Sequence, residues 1–304
     1  MPRLRLYVIK KVLSSLKGRV DYHDILFARR GFEAIIKRVR LPLPGFTYTP
    51  DKIGNMKVEW IEPAGADTSK ILLYFHGGGY CAGSINTHRA VVSKIVGNAG
   101  IKALMIEYRL APENKYPAAI EDAAEAYQYL LDHGYTPEDI SFGGDSAGGG
   151  LTICTLLYLR DKNIPLPKCA IALSPWLDLT MKGVSFTGNK DIDPMLIAEA
   201  LPVWSKAYIG DADPQTAYIS PVYSNLHGLP PIYIQVGEEE ILLDDSTRFF
   251  EAAKRDGVDI TMDIYPAMFH VFNAWWQVLP TARGANIKLG VFLSTHLKMA
   301  ALPA

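Results

Sequence analysis

Residues 144–148 read Gly144-Asp145-Ser146-Ala147-Gly148, and they join a short apolar run at residues 140–142 to a helical pattern at residues 147–160. A Gly-x-Ser-x-Gly pattern between a strand and a helix is typical of a sharp turn that exposes the serine at the carboxyl edge of a sheet. Glycines on both sides let strand and helix approach each other, and the new helix points its positive end at charge beside the serine oxygen. Ser146 is therefore the candidate nucleophile, and an ordinary glycine-rich turn is the alternative.

Short β-rich runs alternate with helical patterns from about residue 58 onward, which indicates an α/β fold with a mostly parallel sheet covered by helices on both faces. Two regions do not follow this alternation, residues 1–45 and about 181–215, and we expect them to lie together outside the sheet as a helical cap. Strands are predicted at residues 71–75, 102–107, 140–142, Cys169–Leu173, 232–236 and Ile260–Tyr265, preceded by a pair near residues 57–61 that we expect to be antiparallel, and helices are predicted at Ala118–Asp132 and 147–160.

A second glycine-rich segment, His76-Gly77-Gly78-Gly79, directly follows the predicted strand at residues 71–75. Three consecutive glycines do not stabilise regular structure, but they allow the main chain to turn its N–H groups toward a ligand oxygen. We interpret the segment as an oxyanion hole with the amides of Gly77, Gly78 and Ala147 as donors. For His76, at the end of the strand, we expect a structural role, with hydrogen bonds that hold the loop.

A nucleophilic serine needs a general base, and the chain has seven histidines. In folds of this kind the order along the chain is nucleophile, acid, histidine, and the histidine lies in a loop after the last strands. His270 fits, because it follows the predicted strand Ile260–Tyr265 and precedes a helical run that we expect to begin near Val271. His227 and His296 are better explained as solvated or structural. Since the base must be neutral, activity is expected to rise with pH through about 6 to 7.

The acid is expected in the loop after the predicted strand at residues 232–236. Glu240 lies between the turn at Gly237 and the next predicted helix, and we favour it as the group that orients His270. Asp244 is the second candidate. Asp244, Asp245 and Ser246 stand where a helix begins, and capping of that helix explains them equally well.

Composition restricts the classes of partner. The chain has 304 residues, 49% of them hydrophobic, and a net charge of −1, which favours one large core and a small neutral ligand over nucleic acid. The three cysteines, Cys81, Cys154 and Cys169, have neither disulfide nor zinc spacing and are expected to be reduced and buried.

Basic and apolar residues alternate at the N-terminus, so we expect no signal peptide and infer a cytoplasmic location. The alternative is a helix that rests on a membrane surface.

Four motifs in order resemble those of the bacterial hormone-sensitive-lipase-like carboxylesterases within the α/β-hydrolase superfamily, over roughly residues 57–296. Members typically carry the acid in an Asp-Pro-Leu-x-Asp setting, whereas residues 240–244 here have glutamate for aspartate and isoleucine for proline. The motifs are His76-Gly77-Gly78-Gly79, Tyr108-Arg109-Leu110-Ala111-Pro112-Glu113, Gly144-Asp145-Ser146-Ala147-Gly148-Gly149 and the region that ends in His270.

The resemblance implies an α/β-hydrolase fold with an N-terminal cap segment at residues 1–45 and a catalytic domain at residues 46–304 that carries a cap insertion at about 181–215. It also implies hydrolysis of short- to medium-chain acyl esters through a serine acyl-enzyme, no metal or organic cofactor, a small-molecule ester as partner, and a homodimer. An amidase or lactonase with the same residues remains an alternative, because leaving-group preference depends on the shape of the pocket. A non-catalytic small-molecule receptor on the same scaffold is disfavoured, because Ser146 and His270 are both present.

Overall fold

One eight-stranded sheet organises the protein in a computed structural model that describes residues 2–17, 21–39 and 43–298. The strand order is β1-β2-β4-β3-β5-β6-β7-β8; neighbours from β4 to β8 run parallel, and β2 is antiparallel to β1 and to β4. The strands are β1 (Phe46–Ile53), β2 (Met56–Pro63), β3 (Asp67–Phe75), β4 (Ile101–Ile106), β5 (Ile140–Asp145), β6 (Cys169–Leu173), β7 (Ile232–Gly237) and β8 (Ile260–Tyr265).

Helices cover both faces of this sheet. In the described ranges they are α1 (Pro2–Lys17), α2 (Ile25–Val39), α3 (Ile85–Ala99), α4 (Ala118–Asp132), α5 (Ala147–Asp161), α6 (Val184–Gly188), α7 (Ala200–Ile209), α8 (Leu243–Arg255) and α9 (Pro280–His296). The α/β prediction is confirmed, and so are the predicted strands and the antiparallel pair that contains β2.

The central strands are apolar on both faces because each face is covered. Leu73 and Phe75 of β3 pack in the same core as residues of α4 and α5, whereas Leu72 and Tyr74 point to the opposite face, where α3 and α9 pack. Successive side chains of a strand alternate between faces, so a strand buried on both sides appears in the sequence as a continuous apolar run. For this reason the central strands were predictable.

Two elements differ from expectation. The sequence did not define the residues of β1, the partner of β2 in the predicted antiparallel pair, because most of them are exposed and Pro50 interrupts a polar stretch, as is tolerated in an edge strand. The helical run expected near Val271 is a single 3-10 turn at Phe272–Trp275, and α9 begins only at Pro280. Val271 precedes this turn with a left-handed backbone (φ 49°), so it is not itself part of a right-handed helix.

The two regions predicted to lie outside the sheet contact each other. Trp204 Nε1 of α7 donates to the Tyr22 carbonyl oxygen at 3.1 Å, and Lys17 Nζ of α1 donates to the Asp193 carbonyl oxygen at 3.0 Å. Of the expected N-terminal cap segment, residues 1, 18–20 and 40–42 lie outside the described residues, as do residues 299–304 of the expected catalytic domain. None of the helices in the described ranges combines the length and the apolar character needed to cross a bilayer.

Candidate active site

Ser146 lies at a strained turn between β5 and α5. Its backbone has φ 53° and ψ −123°, a conformation that costs a non-glycine residue of order 1–3 kcal/mol and persists only where the surroundings hold it. Here the Ser146 amide donates to the Leu173 carbonyl at 2.8 Å, and its carbonyl accepts from the amides of Gly150 at 3.0 Å and Trp176 at 2.9 Å. The turn is thus fixed by the end of β6 and by the chain that follows it.

The glycines of the turn are required by close backbone contacts. A Cβ atom on Gly144 would collide with the carbonyl of Gly148, and one on Gly148 would collide with the carbonyl of Phe75 at the end of β3. The physical reason given for the Gly-x-Ser-x-Gly pattern, close approach of strand and helix, is therefore confirmed.

His270 and Glu240 form a buried pair at the same edge of the sheet. His270 Nδ1 lies 2.8 Å from Glu240 Oε2, and the exposed fractions of the two side chains are only 3% and 0%. Burial alone lowers the pKa of His270, but the hydrogen bond and charge of Glu240, with the carboxylates of Asp193 and Asp145, raise it above its usual value. The imidazole is thus oriented by a carboxylate and its charged form is stabilised.

Ser174 joins the loops that carry these groups and was not predicted. Its hydroxyl donates to Glu240 Oε1 at 2.6 Å and accepts from the Val271 amide at 3.0 Å. Because Ser174 follows Leu173, whose carbonyl holds the Ser146 amide, the segments with Ser146, Glu240 and His270 meet at the end of β6. A serine after a buried strand is common, so no sequence signal marked it.

The two candidate acids have different hydrogen-bond partners. Glu240 also accepts from the Gly237 amide at 2.5 Å, which fixes its carboxylate toward His270. Asp244 lies in the first turn of α8, where it accepts from the Ser185 amide at 2.9 Å. Asp245 accepts from the amides of Leu177 and Asp178, both at 2.8 Å. The two aspartates thus connect α8 to other segments rather than cap it.

The oxyanion assignment of Gly77 needs correction. Its amide is directed at the Asp145 carboxylate (3.2 Å) and at His88 Nε2 (3.3 Å), so it is not directed at a substrate oxygen. Gly78 and Gly79 follow with φ 124° and 61°, and the chain reverses there, since the Gly78 carbonyl accepts from Cys81 and Ala82. The sequence identifies the three glycines, but it does not show which of their amides is hydrogen-bonded to the Asp145 carboxylate.

The Asp145 carboxylate, at the end of β5, holds this glycine-rich loop in place. It accepts from the Tyr74 hydroxyl at 2.8 Å and lies 3.1 Å from His88 Nε2. Burial opposes its ionisation, but His88 and the hydrogen bond from Tyr74 lower its pKa below the usual value. His88 was not singled out from the sequence, because it lies in a helix without a recognisable motif.

His76 has surroundings that suit a structural residue. Its ring stacks on Tyr108 at 4.3 Å, its Nδ1 lies 2.9 Å from the Gly77 carbonyl, and its own carbonyl accepts from the Tyr108 hydroxyl at 2.7 Å. Burial lowers its pKa to about 3, so the ring is neutral at ordinary pH. These contacts agree with the expectation that His76 holds the loop.

Residues of the insertion cover the glycine loop. Trp204 of α7 lies so close to Gly79 that a Cβ atom there would be 2.5 Å from the indole ring. Tyr208, one helical turn later, is buried and stacks on Tyr80 at 3.8 Å. The aromatic residues of α7 thus pack over the loop that follows β3.

Within the described part of the chain, neither thiol chemistry nor metal ligation has an evident site. The three cysteines are free and buried, as predicted, and burial raises their pKa values, to about 12 for Cys81 and Cys169. Among residues 2–17, 21–39 and 43–298, no group of three or more His, Cys, Asp or Glu side chains is arranged to hold a metal ion.

The mostly parallel sheet, with a strained serine turn after β5 and a histidine–carboxylate pair after β8 and β7, defines an α/β-hydrolase. The family model that describes the alpha/beta hydrolase fold matches residues 72–274. An acetyl-hydrolase of Streptomyces hygroscopicus is 41% identical over 243 residues (80% of this chain and 81% of the relative), and an esterase of Acinetobacter venetianus is 36% identical over 256 residues (83% of each).

Solved structures agree with these relatives. The crystal structure of an esterase from the bacterial hormone-sensitive lipase family is 37% identical, has a TM-score of 0.92, and is matched over 96% of this chain and 98% of that one. The chain therefore belongs to the α/β-hydrolase fold family, among the esterases of the bacterial hormone-sensitive lipase group.

Proposed function

We propose that this protein hydrolyses short- to medium-chain carboxylic esters through an acyl-enzyme on Ser146, with His270 as general base and Glu240 as the acid that orients it. The observation that carries the proposal is the buried His270–Glu240 pair, joined at 2.8 Å on the sheet edge where the strained turn presents Ser146. The Streptomyces relative is named an acetyl-hydrolase, which supports a short acyl group.

The mechanism follows from the placement of the groups. His270 removes the proton of Ser146 as the hydroxyl attacks the ester carbonyl, and Glu240 stabilises the imidazolium that forms. His270 then protonates the departing alcohol. In the second half of the reaction a water molecule, deprotonated by His270, attacks the acyl-enzyme in the same way, and the acid is released from Ser146. A neutral imidazole is required at the start, so the reaction needs a pH above the pKa of His270.

For the oxyanion we retain Gly78 and Ala147 as donors and replace Gly77 by Gly79. The Gly77 amide is directed at Asp145, whereas Gly79 lies one residue further into the turn and Ala147 begins α5 next to the nucleophile. Each such donor contributes about 3–4 kcal/mol to transition-state stabilisation.

The Ser146→Ala variant tests the central assignment. We expect it to fold with an unchanged circular dichroism spectrum but to lose turnover of p-nitrophenyl butyrate and stoichiometric labelling by an organophosphonate, since no other activated hydroxyl is proposed. Ser294→Ala, at a half-buried position in α9, is the matched control and should retain both. Substantial residual hydrolysis by Ser146→Ala would remove the assignment.

Initial rates on p-nitrophenyl esters from acetyl to palmitoyl test the substrate range. A maximum at short chains supports the proposal, and a maximum at long chains contradicts it. Parallel rates on the matching amides and lactones separate the amidase and lactonase alternatives, and absence of both turnover and phosphonate labelling in the unmodified protein would favour a receptor.

We also propose that the protein is a homodimer, from the family resemblance, and that it acts in the cytoplasm, from the alternation of basic and apolar residues in α1. Sedimentation velocity across a range of concentrations tests the dimer, and cell fractionation tests the location. A monomer at all concentrations, or recovery outside the cytoplasm, contradicts the respective statement.

A further inference from the structure

The acid loop, residues 238–241, is held by the insertion between β6 and β7 as well as by the sheet. Asn189 Nδ2 donates to the Glu240 carbonyl at 2.8 Å and to the Glu238 carbonyl at 3.1 Å. Asp193 Oδ2 accepts from the Ile241 amide at 3.0 Å. The main chain is thus held before Glu240, at Glu240 and after it by two side chains from outside the catalytic motifs.

These two side chains form one unit. The Asp193 amide donates to the Asn189 carbonyl at 2.8 Å, and the second oxygen of the Asp193 carboxylate accepts from the amides of Met195 at 2.9 Å and Leu196 at 3.0 Å. Asp193 is only 2% exposed. Its orientation is therefore set by three backbone amides, and a shift of this turn would shift the acid loop with it.

Asp193 also contributes charge. The carboxylates that act on the His270 ring come from three different elements: Glu240 from the acid loop, Asp193 from the insertion and Asp145 from the end of β5. Each stabilises the imidazolium, the form that His270 takes while Ser146 is attacking.

We propose that Asn189 and Asp193 are positioning residues for ester hydrolysis, which act through the acid loop to keep the Glu240 carboxylate on His270. The inference rests on the catalytic roles proposed above. It requires neither residue to touch the substrate, so their loss lowers kcat rather than raising KM.

Two variants and two matched controls test this. Asn189→Ala removes the amide donor from a half-buried position, and Asp193→Asn removes the charge with little change of shape. Thr187→Ala and Asp191→Asn make comparable changes at exposed positions of the same segment. The measured quantity is kcat on p-nitrophenyl butyrate, divided by the number of serines that a phosphonate titrates. We expect this kcat to fall roughly tenfold in both test variants, while KM changes less than about twofold. Both parameters should be unchanged in the controls.

The pH profile separates positioning from general loss of structure. Removal of the Asp193 charge lowers the pKa of His270, so the acidic limb of kcat/KM should move to lower pH in Asp193→Asn and not in Asp191→Asn. A merely structural role would reduce the number of titratable serines without moving this limb.

The outcomes are distinct. Unchanged kcat in both test variants, a rise in KM alone, or equal effects in tests and controls would overturn the proposal. An acidic limb of Asp193→Asn that stays in place or moves upward would also overturn it. If Asp193→Asn fails to fold, Asn189→Ala decides alone. Loss of activity in Ser146→Ala with normal Asn189 and Asp193 variants would leave the proposed function standing and remove only this inference.

Discussion

Single side chains at the site act by joining loops that are distant in sequence. Ser174 connects Glu240 to the Val271 amide, and Asp145 connects Tyr74 to the amide of Gly77. All of these groups are buried, and a buried polar group that loses its partner costs about 1–3 kcal/mol. The geometry of the site is therefore maintained by hydrogen bonds that no local pattern in the sequence reveals.

Glu240→Gln should both slow the reaction and change its pH dependence. The raised pKa of His270 places the acidic limb of the unmodified protein above the ordinary imidazole value of about 6.5. Glutamine lacks the charge that stabilises the imidazolium, so kcat should fall by up to about 10⁴-fold and the limb should move to lower pH.

Profiles of kcat/KM between about pH 5 and pH 9 measure this shift. Glu239→Gln is the matched control, because the Glu239 side chain pairs with Lys10 at 2.7 Å rather than with His270. A limb of Glu240→Gln that stays in place or moves to higher pH would argue against the role given to Glu240.

At the level of elements, α9 uses glycine in two different ways. Gly290 faces α3 so closely that a Cβ atom would lie 2.6 Å from Asn98 Cβ and 2.7 Å from its carbonyl carbon. Gly284, less than two turns earlier, is exposed and has nothing within 4 Å of the corresponding position. The first glycine sets the distance between two helices, whereas the second only weakens its own helix.

Alanine at these two positions should therefore change stability in opposite directions. Gly284→Ala should stabilise by about 0.5–1 kcal/mol through helix propensity. Gly290→Ala should destabilise by about 1–3 kcal/mol, because α3 and α9 must separate. Urea unfolding of the two variants measures both effects, and equal shifts of the same sign would show that the α3–α9 contact is not tight.

For the whole molecule, burial of a neutral histidine links stability to pH. His76 has its pKa lowered to about 3 by burial, whereas the unfolded chain restores an ordinary value of about 6.5. A lowered pKa in the folded state favours the neutral ring, so this contribution is fully present above about pH 6.5 and is lost as pH falls toward 3.

His76→Gln removes the titration. The difference in unfolding free energy between the unmodified protein and this variant should be largest near neutral pH and should shrink as pH falls toward about 4. Chemical denaturation at several pH values gives the difference, and His133→Gln, at an exposed position after α4, is the control. A difference that grows on acidification would mean that His76 is charged in the folded protein.

Residue patterns alone were sufficient for the α/β architecture, the positions of the buried strands and the serine turn, and they led to the proposal of His270 as the base. These features depend on local polarity, on glycine at close approaches and on the order of segments along the chain. The residues of the edge strand β1 could not be defined from the sequence, because most of them are exposed and lack the apolar run of a buried strand.

The remaining features arise where strand ends converge. The pairing of His270 with Glu240 rather than Asp244, the hydrogen bond of the Gly77 amide to Asp145, and the contacts of Ser174, Asn189 and Asp193 join residues about 30 to 100 positions apart in the chain. Several carboxylates and several amides of similar local character compete for each partner, and three-dimensional packing alone selects among them.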